Sequence, residues 1–507
     1  MHPDIIRAMH TSMPESFNAP QNGGDDQHKS FCYQRIVARD ARCDGQFLTA
    51  VHTTGIYCLP SCPARKPRVE NVSFFRTERE AIEAGFRPCK RCRPDLFYQG
   101  ADWNASLYET LLTRIRTAPE SAPSVGRLAE LCGVSLSSLN TLVREHAHLT
   151  PGVLLRREHI RAAKFRLAHT REKIVEIGLA AGFESEATFH RQFLATTGMT
   201  PGAYRALACS DRFQVRLPDR YRCEDTLAYF SRDAERTCEA VSGRTIAKAV
   251  ATRAGAAVLT IEFQPDGCHA LCQIHAPHPL DIEDKMSMHE IASRMLGLTH
   301  DVDGFESRAS RESPVARLVA AHPGLRPPLS ATPFEALVWA VVGQQINLPF
   351  ATALRRAVIE RAGLRVSGTD LRLHPTPEQV ANIALEDLSR MKFSRSKADY
   401  LTGVAQAVHQ GGLDLAHLAE GSALLAERAL LAQRGIGPWT AHYVMLRGFG
   451  FGDCVPVGDT GLSAGLKRFH AVEGKLDAEK TQALMRDFAP HRSLATAHLW
   501  ASLKDPT

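Results

Sequence analysis

Read for the alternation of apolar and polar positions, the chain falls into four patterned stretches behind a polar start. Residues 31–97 are turn-rich, with short period-two runs at 46–53 and 71–75, and predict a small α+β unit. From about 103 to 207 the apolar residues recur at helical spacing, interrupted by Gly133, Gly182 and the pairs Thr150-Pro151 and Thr200-Pro201. Inside it, 125–132 predicts a helix, 133–135 a turn and 136–146 a second helix; 174–197 repeats that plan with Gly182-Phe183 at the turn. Strand-like runs at 245–252, 257–263 and 270–275 mark another α+β unit within 211–280. From 281 onward nearly everything reads as helix, punctuated by Pro and Gly. No solenoid period and no low-complexity tract is present.

A length of 507 residues implies about three or four domains. Hydrophobic content of 44% with 23% charged residues fits a soluble globular protein. No apolar run approaches the ~20 residues needed to span a bilayer, so no membrane partner is expected. The first thirty residues hold Asp4, Glu15, Asp25 and Asp26 and lack an apolar stretch before a small-residue cleavage site. They predict a disordered tail, not a secretory signal, and a cytoplasmic protein.

The net charge of +6 is unevenly spread: residues 28–100 carry thirteen Lys and Arg against seven Asp and Glu, and 101–210 thirteen against ten. The positive field therefore sits in the front of the chain, as a phosphate-facing surface would require, although a solvated basic face has the same composition.

Of thirteen cysteines, four fall as close pairs, Cys58-x3-Cys62 and Cys89-x2-Cys92, separated by 26 residues. Without a secretory signal such pairs read as the ligands of one structural zinc ion. Around them, Thr53-Thr54-Gly55-Ile56-Tyr57-Cys58-Leu59-Pro60-Ser61-Cys62, Glu70-Asn71-Val72-Ser73-Phe74 and Gly85-Phe86-Arg87-Pro88-Cys89-Lys90-Arg91-Cys92 resemble the N-terminal domain of the bacterial adaptive-response Ada family over about 31–97. The resemblance implies that Cys58 is both a zinc ligand and a nucleophile. It would take a methyl group, once and irreversibly, from a methylated backbone phosphate. The physics is compatible: a metal-held thiolate is a good methyl acceptor. Methylation also removes one unit of negative charge beside DNA, worth ~1 kcal/mol at 4 Å in water and ~4 kcal/mol at an effective dielectric near 20. The competing reading is a purely structural zinc knuckle.

The helical stretch carries Ile174-Val175-Glu176-Ile177, Gly182-Phe183, Phe189-His190-Arg191-Gln192-Phe193, Gly198-Met199-Thr200-Pro201 and Tyr204-Arg205. This resembles the AraC-type double helix-turn-helix. Gly178 stands where that family usually has alanine, which should weaken its helix slightly. The resemblance implies base contacts from Ser137, Ser138, Asn140 and Thr141 in the first reading helix. Glu186, Thr188, His190 and Arg191 would serve in the second. With little arginine, sequence discrimination should be modest.

Residues 430–439 read Leu430-Leu431-Ala432-Gln433-Arg434-Gly435-Ile436-Gly437-Pro438-Trp439. Two helices joined by Gly-Ile-Gly predict a helix-hairpin-helix whose glycines let backbone N–H groups approach a phosphate. With Thr440-Ala441-His442-Tyr443, Val457-Gly458-Asp459-Thr460, Pro333-Phe334-Glu335-Ala336-Leu337 and Gly343-Gln344-Gln345-Ile346, the segment 211–507 resembles AlkA-type 3-methyladenine DNA glycosylases. The resemblance makes Asp459 the carboxylate that stabilises an oxocarbenium-like sugar. It also assigns Trp439, Tyr443, Trp500 and Tyr229 to the pocket for a flipped base, and Gln345 to the gap that base leaves. Thr460 replaces an aromatic residue, which bears on pocket width. Strand-cutting relatives carry lysine where Trp439 stands, so the expected product is an intact abasic site. No four-cysteine cluster follows Cys454 and no Pro-Cys-His-Arg motif occurs, so neither an iron–sulfur cluster nor O6-methylguanine repair is expected; nor is NAD.

The predicted organisation is a tail (1–30), an Ada-type zinc domain (31–100), an AraC-type domain (101–208), an AlkA-like α+β subdomain (209–298) and a helical helix-hairpin-helix domain (299–507). The expected partners are double-stranded DNA, damaged and promoter, with RNA polymerase a candidate one, and the place is the bacterial nucleoid. The competing reading is a transcription regulator whose glycosylase half is a DNA-binding relic; an intact Asp459 and hairpin favour the enzyme.

Overall fold

The computed structural model describes residues 25–98, 103–309 and 313–504. They form two compact units that divide after Leu107. The predicted tail lies outside the described residues up to 24. Its last six residues are instead the opening of a helix, Asp25–Ala38. That helix is anchored by Cys32 and Ile36, buried with Cys43 and Phe47. A polar first turn has the composition of a tail, and only the apolar contacts downstream separate the two.

In the first unit a four-stranded sheet has the order β3-β1-β2-β4, with β1 Leu48–Val51, β2 Ile56–Cys58, β3 Val72–Phe75 and β4 Arg87–Pro88. β1 pairs antiparallel with β2 and β3, whereas β2 and β4 run parallel with Tyr57 opposite Pro88. The helix Glu78–Glu83 opens with a reciprocal Thr77–Glu80 cap. The buried Tyr57 ties it to the sheet by donating its hydroxyl to Glu78 Oε1 at 2.6 Å.

The second unit is mainly helical. Val125–Cys132 and Leu136–Ala147 form the first helix-turn-helix, and Ile174–Ala180 and Glu186–Thr197 the second, as the periodicity predicts. Pro151–His169 joins them. Each of Ser124, Ser135 and Ser185 caps the helix that follows it through its side chain. Gly178 is no weak point: a Cβ there would lie 2.7 Å from the Phe189 ring. Packing of the second reading helix, not helix propensity, decides that residue.

A five-stranded antiparallel sheet follows in the order β5-β9-β8-β7-β6. β7 Thr245–Thr252, β8 Gly255–Phe263 and β9 His269–His275 match the sequence pattern. β5 Arg212–Arg216 and β6 Glu239–Ser242 are the edge strands, which the sequence pattern did not single out. The sheet and the helix Ile282–Met295 share one hydrophobic core with the second helix-turn-helix. Phe189, Phe193, Met199 and Tyr204 are buried together with Phe213, Val215, Leu259 and Met288. The two segments, separable in sequence, are thus one packed body. Lys164 Nζ to Glu290 Oε2 at 3.0 Å and His289 Nε2 to the Thr197 carbonyl at 2.8 Å cross the same joint.

The remaining helices surround a second core that contains Leu337, Val341, Val358, Leu401, Leu430 and Val444. A buried ionic cluster fastens it to the sheet: Lys248 Nζ lies 2.8 Å from Glu335 and 3.1 Å from Glu239, and Arg355 lies 2.8 Å from Glu239. The first helix-turn-helix docks here too, with His146 Nδ1 2.7 Å from Ser422 Oγ, and Arg116 of the preceding helix Trp103–Thr117 donates to the Glu420 carbonyl at 2.9 Å. Among the described residues no helix is long and apolar enough to cross a membrane.

Candidate active site and metal centre

Asp459 caps the N-terminus of the helix Thr460–His470 and accepts the Leu462 backbone N–H on Oδ1 at 2.7 Å. Two indoles complete its surroundings. Trp500 Nε1, on the helix Arg492–Ser502, donates to Oδ1 at 2.9 Å, and Trp439 Nε1, at the start of Pro438–Val444, donates to Oδ2 at 3.0 Å. Both oxygens are held in one orientation; Oδ1 accepts two of these bonds and Oδ2 one, so Oδ2 keeps a further lone pair. Helix capping and two indole contacts are therefore combined in one carboxylate.

The aromatic residues converge around it. The Trp439 and Tyr443 rings are 5.4 Å apart, and Tyr443 and Trp500 6.3 Å. Tyr443 is buried, its hydroxyl accepts the Trp339 indole N–H at 2.8 Å, and burial pushes its pKa up to about 12. Tyr229 arrives from the helix Cys223–Phe230, and the Arg447 guanidinium stands 5.0 Å from its ring and 5.1 Å from Trp500. Arg232 covers Tyr229 at 4.2 Å. Trp339, Arg447 and Arg232 were not singled out from the sequence. Trp339 lies in an apolar helix that reads as ordinary core, and a lone arginine in a buried run carries no spacing signal.

Gln345 sits at the tip of the loop between Pro333–Val342 and Leu348–Ala362, exposed, with φ +56. A left-handed non-glycine residue stores strain, and here the loop is pinned just ahead of it. Gln344 Nε2 donates to the Gly435 carbonyl and Thr440 Oγ1, both at 2.9 Å. Lys397 Nζ reaches the carbonyls of Val342 and Gln344 at 3.0 and 2.8 Å. Exposed Leu348 and Phe350 flank the tip. The same bonds fix the hairpin between Ala423–Leu431 and Pro438–Val444. Gly435 has φ +83, and a Cβ on it would overlap the Tyr400 ring at 2.2 Å, while Gly437 faces open space at the helix N-cap. The first glycine is thus a packing requirement and the second leaves the backbone accessible.

In the helix-turn-helix pair, Ser137, Ser138, Thr141, Glu186 and Arg191 are exposed, and Asn140, Thr188 and His190 are half-buried. Asn140 accepts from Arg144 at 3.2 Å and Thr188 accepts from Ser185 at 3.0 Å. These two are committed within their own helices and offer less to a base edge than the exposed set.

In the first unit, the parallel β2–β4 pairing brings the two cysteine pairs together. Cys89 N–H donates to the Tyr57 carbonyl at 3.0 Å, which sets Cys89 beside Cys58. Asp44 holds the Cys58–Cys62 turn through the Ser61 N–H at 3.0 Å and hydroxyl at 2.6 Å. The four sulfurs lie within 4.8 Å of one another, and tetrahedral Zn–S bonds of ~2.3 Å would place them roughly 3.8 Å apart. The donor set fits zinc. Cys62 and Cys89 are buried, Cys58 and Cys92 half-buried. Of the nearby cations, Arg65, Arg87, Lys90 and Arg91 are exposed. Arg93 is paired with Asp95 at 2.8 Å and Lys66 donates to the Cys62 carbonyl at 2.8 Å.

Four family models match consecutive parts of the chain: the metal binding domain of Ada (31–95), a helix-turn-helix domain (128–207), the AlkA N-terminal domain (212–331) and the HhH-GPD superfamily of base excision DNA repair proteins (338–491). A Mycobacterium tuberculosis protein named as a probable bifunctional transcriptional activator/DNA repair enzyme AlkA is 29% identical over 502 residues, covering 94% of this chain and 96% of the relative. The Bacillus subtilis bifunctional transcriptional activator/DNA repair enzyme AdaA is 30% identical over 208 residues, 39% of this chain and 95% of its own. Among solved structures, a 3-methyladenine DNA glycosylase from Archaeoglobus fulgidus matches 57% of this chain and 97% of its own at 20% identity with a TM-score of 0.51, which shows the shared fold. This chain belongs to the family of Ada-type bifunctional transcriptional activator/DNA repair proteins, and its remaining part matches the AlkA N-terminal domain and the HhH-GPD superfamily.

Proposed function

We propose that this protein hydrolyses the N-glycosidic bond of alkylated bases of the 3-methyladenine type, leaving an abasic site. We propose also that Cys58 accepts methyl groups from DNA methylphosphotriesters, so that the chain acts as an adaptive-response transcription regulator. The observation that carries the first part is Asp459, fixed by two indole N–H groups and a backbone N–H amid four aromatic rings. A flipped, electron-poor base stacks between such rings. As the C1′–N bond breaks, its electron pair leaves with the base, and the Asp459 carboxylate faces the cationic sugar. Water then adds to C1′ and gives up one proton. Gln345 fills the gap in the duplex, and the Gly435–Gly437 hairpin holds a phosphate. Tryptophan at position 439 offers no amine for a Schiff base, so the strand is left uncut.

For the second part, the Cys58 sulfur attacks the methyl carbon and the phosphodiester leaves as its anion. Cys58, Cys62, Cys89 and Cys92 would hold a zinc ion, whose positive charge would keep these sulfurs ionised near neutral pH. Cys58 and Cys92 are half-exposed where Cys62 and Cys89 are buried, so exposure admits Cys58 as the acceptor. Exposed Ser137, Ser138, Thr141, Glu186 and Arg191 would read promoter DNA, with RNA polymerase the partner of such an activator. The boundaries 31–100, 101–208, 209–298 and 299–507 belong to this proposal. It is tested by incubating the purified protein with methylated duplex DNA: free methylated purine in the supernatant and a methyl label on Cys58 are expected, and their absence refutes it.

A further inference from the structure

Arg447 belongs to none of the functional roles assigned above. It lies in a π-helical turn, Met445–Phe449, that continues the helix bearing Trp439 and Tyr443, a local widening often found at functional sites. Its side chain is buried, with Nη1 donating to the Pro328 carbonyl at 2.8 Å. Its guanidinium occupies one face of both Tyr229 and Trp500, 5.0 and 5.1 Å from their centres. Its Nε–H is buried and has no hydrogen-bond partner. A buried cation with an idle donor, set against two pocket rings, is costly to keep unless something in the pocket uses it.

We propose that Arg447 is a specificity-determining residue of the base pocket, an electrostatic counterpart of Asp459 on the leaving-group side, and that it lets the site release neutral damaged purines as well as cationic ones. The inference rests on the glycosylase reading above. In either case the bond's electron pair moves to the base, so the charge of the base falls by one: a cationic base leaves neutral, and a neutral base leaves as an anion that takes up the proton released by the attacking water. A fixed cation behind the rings favours that change for both classes and therefore raises kcat for both. In the ground state it repels only the cationic base, and so raises KM for that class alone. The Trp439 and Trp500 indoles, donating to Asp459, keep the sugar side negative while Arg447 keeps the base side positive.

The experiment compares duplexes carrying 3-methyladenine and deoxyinosine, a cationic and a neutral lesion, with the full chain and its Arg447→Gln and Arg447→Lys variants. The wild type is expected to release both bases. In Arg447→Gln, kcat should fall for both, KM should fall only for 3-methyladenine, and the preference for 3-methyladenine in kcat/KM should rise roughly tenfold. Arg447→Lys, which keeps the charge, should retain the wild-type preference to within about threefold. A wild type that releases 3-methyladenine but not hypoxanthine overturns the inference without any variant, as does a folded Arg447→Gln protein with unchanged preference. Release of neither base by the wild type overturns instead the reading on which the inference rests.

Discussion

His148 accepts, on its ring Nδ1, the backbone N–H of Asp453 at 3.2 Å, so the residue that ends the helix Leu136–Ala147 is bonded to the loop that leads to Asp459. Asp453 is in turn clamped by Arg492 at 2.7 Å, at the start of the helix that carries Trp500. The first helix-turn-helix and the loop that precedes Asp459 are directly joined, with the imidazole as the link. Accepting that bond requires an unprotonated Nδ1, and burial pushes the pKa of His148 down to about 4; His289, at the joint with the second helix-turn-helix, is pushed down likewise.

From this follows a pH dependence of stability. Both groups titrate below their unfolded value near 6.5, so their contribution is complete above it and is lost as pH falls towards 4. Each group adds up to about 1.4 kcal/mol of instability per pH unit in that window. Thermal unfolding of the chain should show the helix-turn-helix and glycosylase parts melting together, at lower temperature at pH 5 than at pH 7. Equal melting temperatures would contradict the neutral, bonded state of these histidines.

The strained tip offers a way to separate stability from function. Gln345→Gly should relieve the left-handed backbone and raise stability by up to about 1 kcal/mol, while base release falls because no side chain fills the gap. Denaturant unfolding and excision assays on the same variant check both. A variant that is stabilised and fully active would leave Gln345 without a role in the duplex.

For the zinc domain, Cys58→Ser should block methyl uptake, whereas loss of Cys62 or Cys89 should unfold the first unit. The methylated protein should bind DNA more tightly, and the gain should shrink as the Debye length falls from ~10 Å at 0.1 M salt to ~3 Å at 1 M. Mass spectrometry of the zinc-domain peptides and a salt titration of binding check this. A methyl group on another cysteine, or unchanged affinity at low salt, would leave the site a structural knuckle.

Most of the architecture was legible because each part carries its own periodicity or spacing. Helices with serine caps, the three long strands and the cysteine pairs were all readable this way. The edge strands β5 and β6 were not read, although β5 alternates exposed and buried positions along its length. Nor was the shared core of Phe193 and Phe213, because contacts between distant segments leave no mark on local pattern. Within the site, Asp459, Trp439, Tyr443, Trp500 and Tyr229 were found through resemblance and do converge in space. Arg447 stayed hidden because a single buried cation is visible only once the rings around it are placed.

The product tests the assignment at position 439. Damaged DNA treated with the protein should contain abasic sites that break only on heating in alkali. Borohydride should trap no covalent protein–DNA adduct; a trapped adduct would require an amine nucleophile that Trp439 cannot supply.

The central claim rests on one carboxylate. Asp459→Asn keeps the size of the side chain and a carbonyl oxygen for the Leu462 and Trp500 donors but removes the charge that faces the sugar cation. The decisive measurement is single-turnover release of 3-methyladenine by this variant beside the wild type, with binding to undamaged DNA as the control. Release should fall by roughly 10²-fold or more while undamaged-DNA binding is retained. Release at the wild-type rate would contradict the account and remove Asp459 from the chemistry.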